Sequence, residues 1–380
     1  MKTSDLPQPL PLAVALIGYG GAARVFHAPL ISGVPGLHLH SIVNRQHAAV
    51  AQDWPQVRCV PDVDAVYQDP SIDLVVIATP NASHFELAQA ALKAGKHVVV
   101  DKPCTVTLAE TQSLLALAQT QGKLFTVFQN RRFDSDFLTL QQVIKSGALG
   151  RVVEVNSHFD RYRPQVPVRW REQALPGAGL WFDLGPHLLD QAVVLFGAPD
   201  DILLDCANLR TGAVVNDWFH AVLRYTRSHG GLRVVLHAST LVADGGPRWA
   251  VHGERGSFTS HGLDGQEEAL KQGARPHWQA LGDWGENKNP GQLLSVQQLP
   301  GVSEPVVVRQ QVAGCAGNYL AYYSQLCDHL QGLAAQPCVT THQIHTVMKL
   351  LTYGEQSAQQ GRWVSLTESC SLPQPAEQRA

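Results

Sequence analysis

A chain of 380 residues has room for two domains, and 29 Lys and Arg against 32 Asp and Glu give a net charge of −3 with no basic excess. The cations form no stripe, which argues against nucleic acid as a partner. The longest apolar runs, such as Leu74 to Ala78 and Val98 to Val100, fall far short of the roughly 18 residues that span a bilayer. No membrane partner is expected, and the N-terminus lacks the basic-then-apolar pattern of a signal peptide, so the expected location is cytoplasmic. The 7 cysteines are scattered, odd in number and without a Cys-x-x-Cys pair, a pattern that argues against disulfides and structural zinc. His342-x-x-His345 has helical spacing but no third ligand is suggested nearby, so no metal is assigned.

Met1 to Pro11 and Cys370 to Ala380 read as flexible ends. The run from Ala13 to Ile17 reads as a strand, and Gly18-Tyr19-Gly20-Gly21-Ala22-Ala23 follows it as Gly-x-Gly-x-x-Ala. In a dinucleotide-binding loop Gly18 permits the tight turn, Gly20 lets the backbone approach a pyrophosphate, and small Ala23 lets the next helix pack on the strand with its N-terminus toward the phosphates. A second strand, Leu37 to Val43, ends at Asn44-Arg45, where an NAD enzyme carries its ribose-binding acid. No carboxylate follows until Asp53, and the Arg45 fork suits a 2′-phosphate, so NADP is expected in preference to NAD. A solvated surface arginine is the plainer alternative for Arg45.

Strands over 73–79, 97–100 and 124–128 alternate with helices over 84–94 and 108–120, the doubly wound plan of a parallel sheet. Past Gly150, strands are expected over 152–159, 218–225, 232–241 and 249–253, with a helix over 181–196, giving an open, mostly antiparallel sheet in an α+β domain. Residues 261–300 show little periodicity and read as a long ordered loop, followed by helices over 319–333 and 342–359. The expected domains are therefore 12–150, dinucleotide-binding, and 151–361, substrate-binding and oligomerising. An uncovered apolar sheet face in the second would favour a homodimer or homotetramer.

Several motifs occur in a telling order: Gly18-Tyr19-Gly20, Ala78-Thr79-Pro80-Asn81-x-x-His84, Asp101-Lys102-Pro103, and Gly179-Leu180-Trp181-Phe182-Asp183-Leu184-Gly185-Pro186-His187-x-x-Asp190. Together they resemble the glucose-fructose oxidoreductase and inositol dehydrogenase (Gfo/Idh/MocA) family. The segments 25–30, 128–134 and 262–267 resemble more narrowly a branch that includes NADP-dependent scyllo-inositol dehydrogenases. The resemblance implies an NAD(P)-dependent dehydrogenase acting on CH–OH groups, with Thr79, Asn81, His84, Asp101 and Asn130 lining the cofactor cleft beside the loop residues. Thr79 and Asn81 are also ordinary turn residues.

The same resemblance gives Lys102 a catalytic role, and its place after the fourth strand puts it at the sheet's carboxyl edge, where its ammonium would favour a developing alkoxide. Asp101 stands where the family commonly has Glu. Asp183 and His187, four residues apart, share a helix face, which suits His187 to exchange the hydroxyl proton beside a carboxylate, with Asp190 a second possible partner. A merely structural Asp–His pair is the alternative. The expected function is oxidation of a secondary alcohol on a cyclic polyol or sugar, or the reverse; a non-catalytic dinucleotide-binding regulator is the competing class.

Overall fold

The apolar runs up to Val127 form one parallel sheet. In the computed structural model, which describes residues 10–298, 300–301 and 303–367, its strands are β1 (Leu12–Ile17), β2 (Leu37–Val43), β3 (Arg58–Val60), β4 (Leu74–Ile77), β5 (His97–Val100) and β6 (Phe125–Val127). Their order, β3-β2-β1-β4-β5-β6, is that of a Rossmann sheet. Strands β1 and β4, and β5 past His97, are apolar runs because both faces are covered: Leu16, all of β4 and Val98 to Val100 have no solvent exposure. The expected flexible ends fall almost wholly outside the described residues.

The helix Leu108–Gln121 shows how local chemistry sets the element boundaries. The Thr107 hydroxyl accepts from the Glu110 amide at 3.2 Å, and the Glu110 carboxylate accepts from the Thr107 amide at 3.0 Å, while Gly122 closes the far end at φ +60°.

The remaining strands are β7 (Val152–His158), β8 (Asp201–Ala207), β9 (Trp218–Tyr225), β10 (Leu232–Ser239), β11 (Trp249–Gly253), β12 (Gly256–Ser260), β13 (Gly291–Gln297), β14 (Val306–Val312) and β15 (Val364–Ser365). They form a nine-stranded sheet in the order β14-β13-β12-β11-β7-β10-β9-β8-β15. Its pairings are mostly antiparallel, with β7 and β10 parallel. The helix Leu180–Phe196 packs on β9 and β10. Strand β9 alternates accordingly: Phe219, Ala221, Leu223 and Tyr225 are buried, while Trp218, His220, Val222 and Arg224 are part-exposed. The opposite face is thus mixed in character, where a wide apolar face was expected.

Residues 261–300 are not the expected loop. They contain the helix Gln266–Lys271 and strand β13, and β8 and β14 are further strands without a clear sequence signal. The chain divides into two compact units, one with residues up to 146 plus 260–292 and 310–345, the other with 147–259, 293–309 and residues from 346 onward.

Side-chain bonds explain why 260–292 and 310–345 belong with the first unit. Buried Arg131 pairs with Asp134 at 3.3 Å and with Glu267; the Asp264 carboxylate accepts from the Ser135 amide at 2.8 Å; and the Tyr319 hydroxyl donates to Asp134 at 2.6 Å. Burial pushes the Asp134 carboxyl up, to about 7, although Arg131 opposes the shift. The two motifs at 128–134 and 262–267 are therefore halves of one polar network.

Candidate active site

In a parallel sheet every strand ends on the same edge, and Gly18, Asn44-Arg45, Thr79, Asp101-Lys102 and Asn130 follow β1, β2, β4, β5 and β6. These are the positions at which open α/β sheets take ligands, centred where the order reverses between β1 and β4. Gly18 is required by the protein itself: its φ is +91°, and a Cβ would lie 2.9 Å from both the Ala78 carbonyl oxygen and Thr79 Cγ2. At Gly20 a Cβ would meet no protein atom within 4 Å, so packing does not demand glycine there. Ala23 is fully buried and opens a π-helical turn, Ala23–His27, that runs into the helix Ala28–Ser32.

The carboxylate missing after β2 returns from the end of the next helix. Asp53 accepts from the Tyr19 hydroxyl at 2.8 Å and pairs with Arg24 at 3.0 Å. Burial, and then Asp53, raise the Tyr19 phenol well above its ordinary value. Beside this group lies a cleft of about 320 Å³, lined among others by Arg24, Trp54, Lys271 and Arg275. The Arg275 guanidinium stacks 4.0 Å from the Trp54 ring and donates to the Asp53 carbonyl oxygen at 2.6 Å. Arg45 is exposed, and the Asn44 side chain donates to the Gln46 carbonyl at 2.9 Å, fixing the turn. Sequence spacing does not reveal Asp53, Arg24 and Arg275 as neighbours, since they meet only through the fold.

His84 acts as a strut. It is fully buried, with Nε2 3.0 Å from the Thr79 carbonyl oxygen and Nδ1 3.1 Å from that of Pro103, so it ties the turn after β4 to the turn after β5. Thr79 Oγ1 lies 2.7 Å from Ser83 Oγ; Asn81 and Asn130 are buried, each at the start of a short 3-10 turn.

Asp101 Oδ1 accepts from the Lys102 amide at 2.8 Å, and its Oδ2 lies 3.9 Å from Nε2 of His27, whose Nδ1 is 2.6 Å from the Tyr323 hydroxyl. Burial alone would raise the Asp101 carboxyl, yet His27 and the Lys102 charge outweigh it and bring it down to about 2, so the group is an anion throughout the neutral range. The Lys102–Pro103 peptide is cis. Next to it Cys104 is buried, and burial pushes its thiol up to about 12, which marks it as packing and not a nucleophile. His27 and Tyr323, the supports behind Asp101, lie far apart in sequence; only the Phe26-His27 motif hinted at one of them.

In the second unit, Asp183, His187 and Asp190 sit on successive turns of the helix Leu180–Phe196. Its start is sharply specified. Gly179 has φ +88° and a Cβ there would lie 2.8 Å from the Asn216 side chain, whose Oδ1 accepts from the Trp181 amide at 2.8 Å. Gly185 leaves room for the Trp181 ring, 2.9 Å from where a Cβ would stand, and Trp181 Nε1 donates to Leu351 O at 3.2 Å. The glycines of the motif thus serve the backbone and Trp181, while Asp183 and His187 are the polar groups they hold in place. Asp183 pairs with Arg171 at 3.5 Å, and His187 is 6% exposed. Arg161, Arg163, Arg171 and Asn216 line a pocket with Asp183. Lys102 belongs to the first unit, and Asp183 and His187 to the second.

A Rossmann strand order with a glycine turn at its reversal point is the architecture of nucleotide-dependent oxidoreductases, and comparison with known proteins agrees. A family described as "Oxidoreductase family, NAD-binding Rossmann fold" matches residues 12–129, and one described as "GFO/IDH/MocA C-terminal domain" matches 137–259. The uncharacterized oxidoreductase YdgJ of Escherichia coli is 48% identical over 347 residues, 91% of this chain and 96% of that protein. The scyllo-inositol 2-dehydrogenase (NADP(+)) IolW of Bacillus subtilis is 33% identical over 357 residues, 93% of this chain and 96% of that protein. The solved structure of YPO2259 from Yersinia pestis superposes with a TM-score of 0.87 at 45% identity, covering 95% of this chain and 99% of that one. The chain belongs to the GFO/IDH/MocA family of oxidoreductases, as its motifs led us to expect. Among the described residues no helix is long and apolar enough to cross a membrane.

Proposed function

We propose that this oxidoreductase uses NADP to interconvert a secondary alcohol and a ketone on a cyclic polyol or sugar. The observation that carries the reading is the convergence of the Gly18 turn and the Asp101-Lys102 turn on the carboxyl edge of one Rossmann sheet, on either side of its reversal point. The name of the Bacillus subtilis relative supports the substrate class and the cofactor. Residues 12–150, joined by the returning segment that carries Lys271 and Arg275, would bind the dinucleotide, and the rest of 151–361 the substrate.

The residues fit a dinucleotide because the turn leaves backbone without side chains at Gly20 and Gly21, where an added Cβ meets no protein atom. Tyr19, Ala23, Asn44, Thr79, Asn81 and Asn130 would hold it with that backbone. Bound nicotinamide supplies a hydride acceptor or donor. Lys102 donates a hydrogen bond to the substrate oxygen and stabilises negative charge as it develops; anionic Asp101, fixed by the Lys102 amide, holds the lysine's turn. His187 takes the hydroxyl proton, with Asp183 on the preceding turn to orient it. The arginines and Asn216 around Asp183 offer the several directed donors that hydroxyl recognition needs. Turnover of a polyol panel with each dinucleotide tests the reading.

Two glycine variants separate cofactor contact from folding. Gly18→Ala is expected to cost at least about 1–3 kcal/mol of stability because of its φ. Gly20→Ala is expected to stay within about 0.5 kcal/mol of wild type yet weaken NADP binding. Thermal melts with dinucleotide titration check both, and a Gly20→Ala protein that binds NADP as tightly as wild type would contradict the assigned cradle.

The reading also includes a cytoplasmic location, supported by six cysteines among the described residues that form no disulfide, and a homodimer or homotetramer through the nine-stranded sheet. Trp218 and Val222 on β9 and Val235 on β10 supply apolar contacts on its helix-free face. Light scattering is expected to give a multiple of the 41.3 kDa protomer; a protomer mass at micromolar concentration would argue against it.

A further inference from the structure

The face of the nine-stranded sheet opposite the Leu180–Phe196 helix brings two histidines and an aspartate together. His158 ends β7, and the chain stays extended beyond it: the Phe159 amide donates to His237 O, and the Arg161 amide to Ser239 O, each at 2.9 Å. His158 and Asp160 therefore share a face, and His237 stands beside His158 in the β7–β10 register.

His158 Nδ1 is 3.4 Å from Asp160 Oδ2, and His237 Nε2 is 3.6 Å from Asp160 Oδ1. One ligand atom from each of the three residues can be chosen so that all lie within 4.8 Å of one another. The separations exceed those of good N–H···O bonds, about 2.7–3.2 Å. They are close to the edge, about 3.3–3.5 Å, of a tetrahedron whose N and O donors lie about 2.0–2.1 Å from a zinc ion, with each imidazole facing a different oxygen of the Asp160 carboxylate. Asp160 Oδ1 is buried without a hydrogen-bond partner, on a side chain only 10% exposed. A carboxylate oxygen in that state is costly, and a cation would relieve it.

We propose that His158, Asp160 and His237 form a site for a divalent transition-metal ion of the zinc class, with a further position open to water on the His158 side. Two imidazoles and a carboxylate are a borderline-soft donor set of the kind such ions take. In the single protomer His158 is 35% exposed, which gives an entry path ahead of subunit association. His220 stands opposite His237, and Asp205 opposite His220, extending the polar row across β9 and β8. The sheet separates this cluster from the helix that carries Asp183 and His187, so the site is distinct from the one described above.

Full-length protein without a histidine tag, stripped with chelator and dialysed, is titrated with Zn²⁺ by calorimetry and with Co²⁺ by visible absorption. The expected result is saturable binding of a single ion per chain, with the intense Co²⁺ bands of a low-coordinate site. Asp160→Asn and His237→Ala should each weaken it at least about ten-fold, the smallest cost typical of losing even a supporting group. His158→Ala, at the exposed margin where folding is least at stake, should do the same, and a His342→Ala/His345→Ala protein should bind as wild type does. No stoichiometric binding by wild type would overturn the proposal. So would binding that survives His158→Ala and Asp160→Asn in proteins with unaltered circular dichroism.

Discussion

His187→Ala is expected to lower kcat by about a hundred- to ten-thousand-fold, the usual worth of a positioned general acid or base, while NADP affinity stays near wild type. The separation follows from where the residue sits: His187 is carried by the helix Leu180–Phe196, whereas the turns assigned to the dinucleotide all leave the Rossmann sheet. Lys102→Met should be at least as damaging, because it removes the cation nearest the developing alkoxide and keeps the length and apolar stem of the side chain. Asp183→Asn should cost less, since the amide still reaches Arg171 and only the charge, one helical turn before His187, is lost. Single-turnover rates and dinucleotide titration of the three variants check this, and near wild-type rates in both His187→Ala and Lys102→Met would show the active site to be misplaced.

Arg45→Ala is expected to weaken NADP binding by about ten- to a hundred-fold, the range of a charge-assisted hydrogen bond of roughly 1.5–3 kcal/mol, and to leave NAD binding little changed. Arg45 is exposed at the end of β2. Asp53, which accepts from Tyr19 beside the loop, has its charge offset by Arg24 at 3.0 Å, which weakens both its pull on ribose hydroxyls and its repulsion of a 2′-phosphate. Arg24, Lys271 and Arg275 line the cleft beside Asp53, so the field there favours added negative charge. Titration of both dinucleotides into wild type and variant decides it: NAD binding as tightly as NADP to the wild type would refute the preference.

The Rossmann half was legible because β1, β4 and Val98 to Val100 of β5 read as apolar runs, and because Thr107–Glu110 and Gly122 mark a helix by local chemistry alone. Strand β9 was legible through partial alternation, which its burial then follows residue by residue. The failures share a cause, which is that long-range contacts did what local pattern did not. The helix Gln266–Lys271 is only six residues long and is held by the Gln266 side chain, whose oxygen accepts from the Tyr319 amide at 2.7 Å and the Trp284 indole at 2.9 Å. Strand β14 has no buried residue although four of its seven are valine, so no buried face imposed a period. In the site, motif positions identified Lys102, Asp183 and His187 as candidates. Their supports, His27 with Tyr323 behind Asp101 and Arg171 with Asn216 beside Asp183, are brought close only by folding and carry no spacing that sequence alone could recognise.

The central claim is that this chain transfers hydride between NADP and the alcohol carbon of a cyclic polyol or sugar. The most direct measurement is the initial rate of nicotinamide reduction, read by its near-ultraviolet absorbance, across a panel of inositols, aldoses and anhydro-sugars with NADP and NAD in parallel, and of the reverse reaction with the matching ketones. The account predicts NADP-linked turnover of at least one member, faster per unit enzyme than with NAD and lost in Lys102→Met. Tight dinucleotide binding with no turnover of any polyol or ketone in either direction would contradict it and favour a dinucleotide-binding regulator.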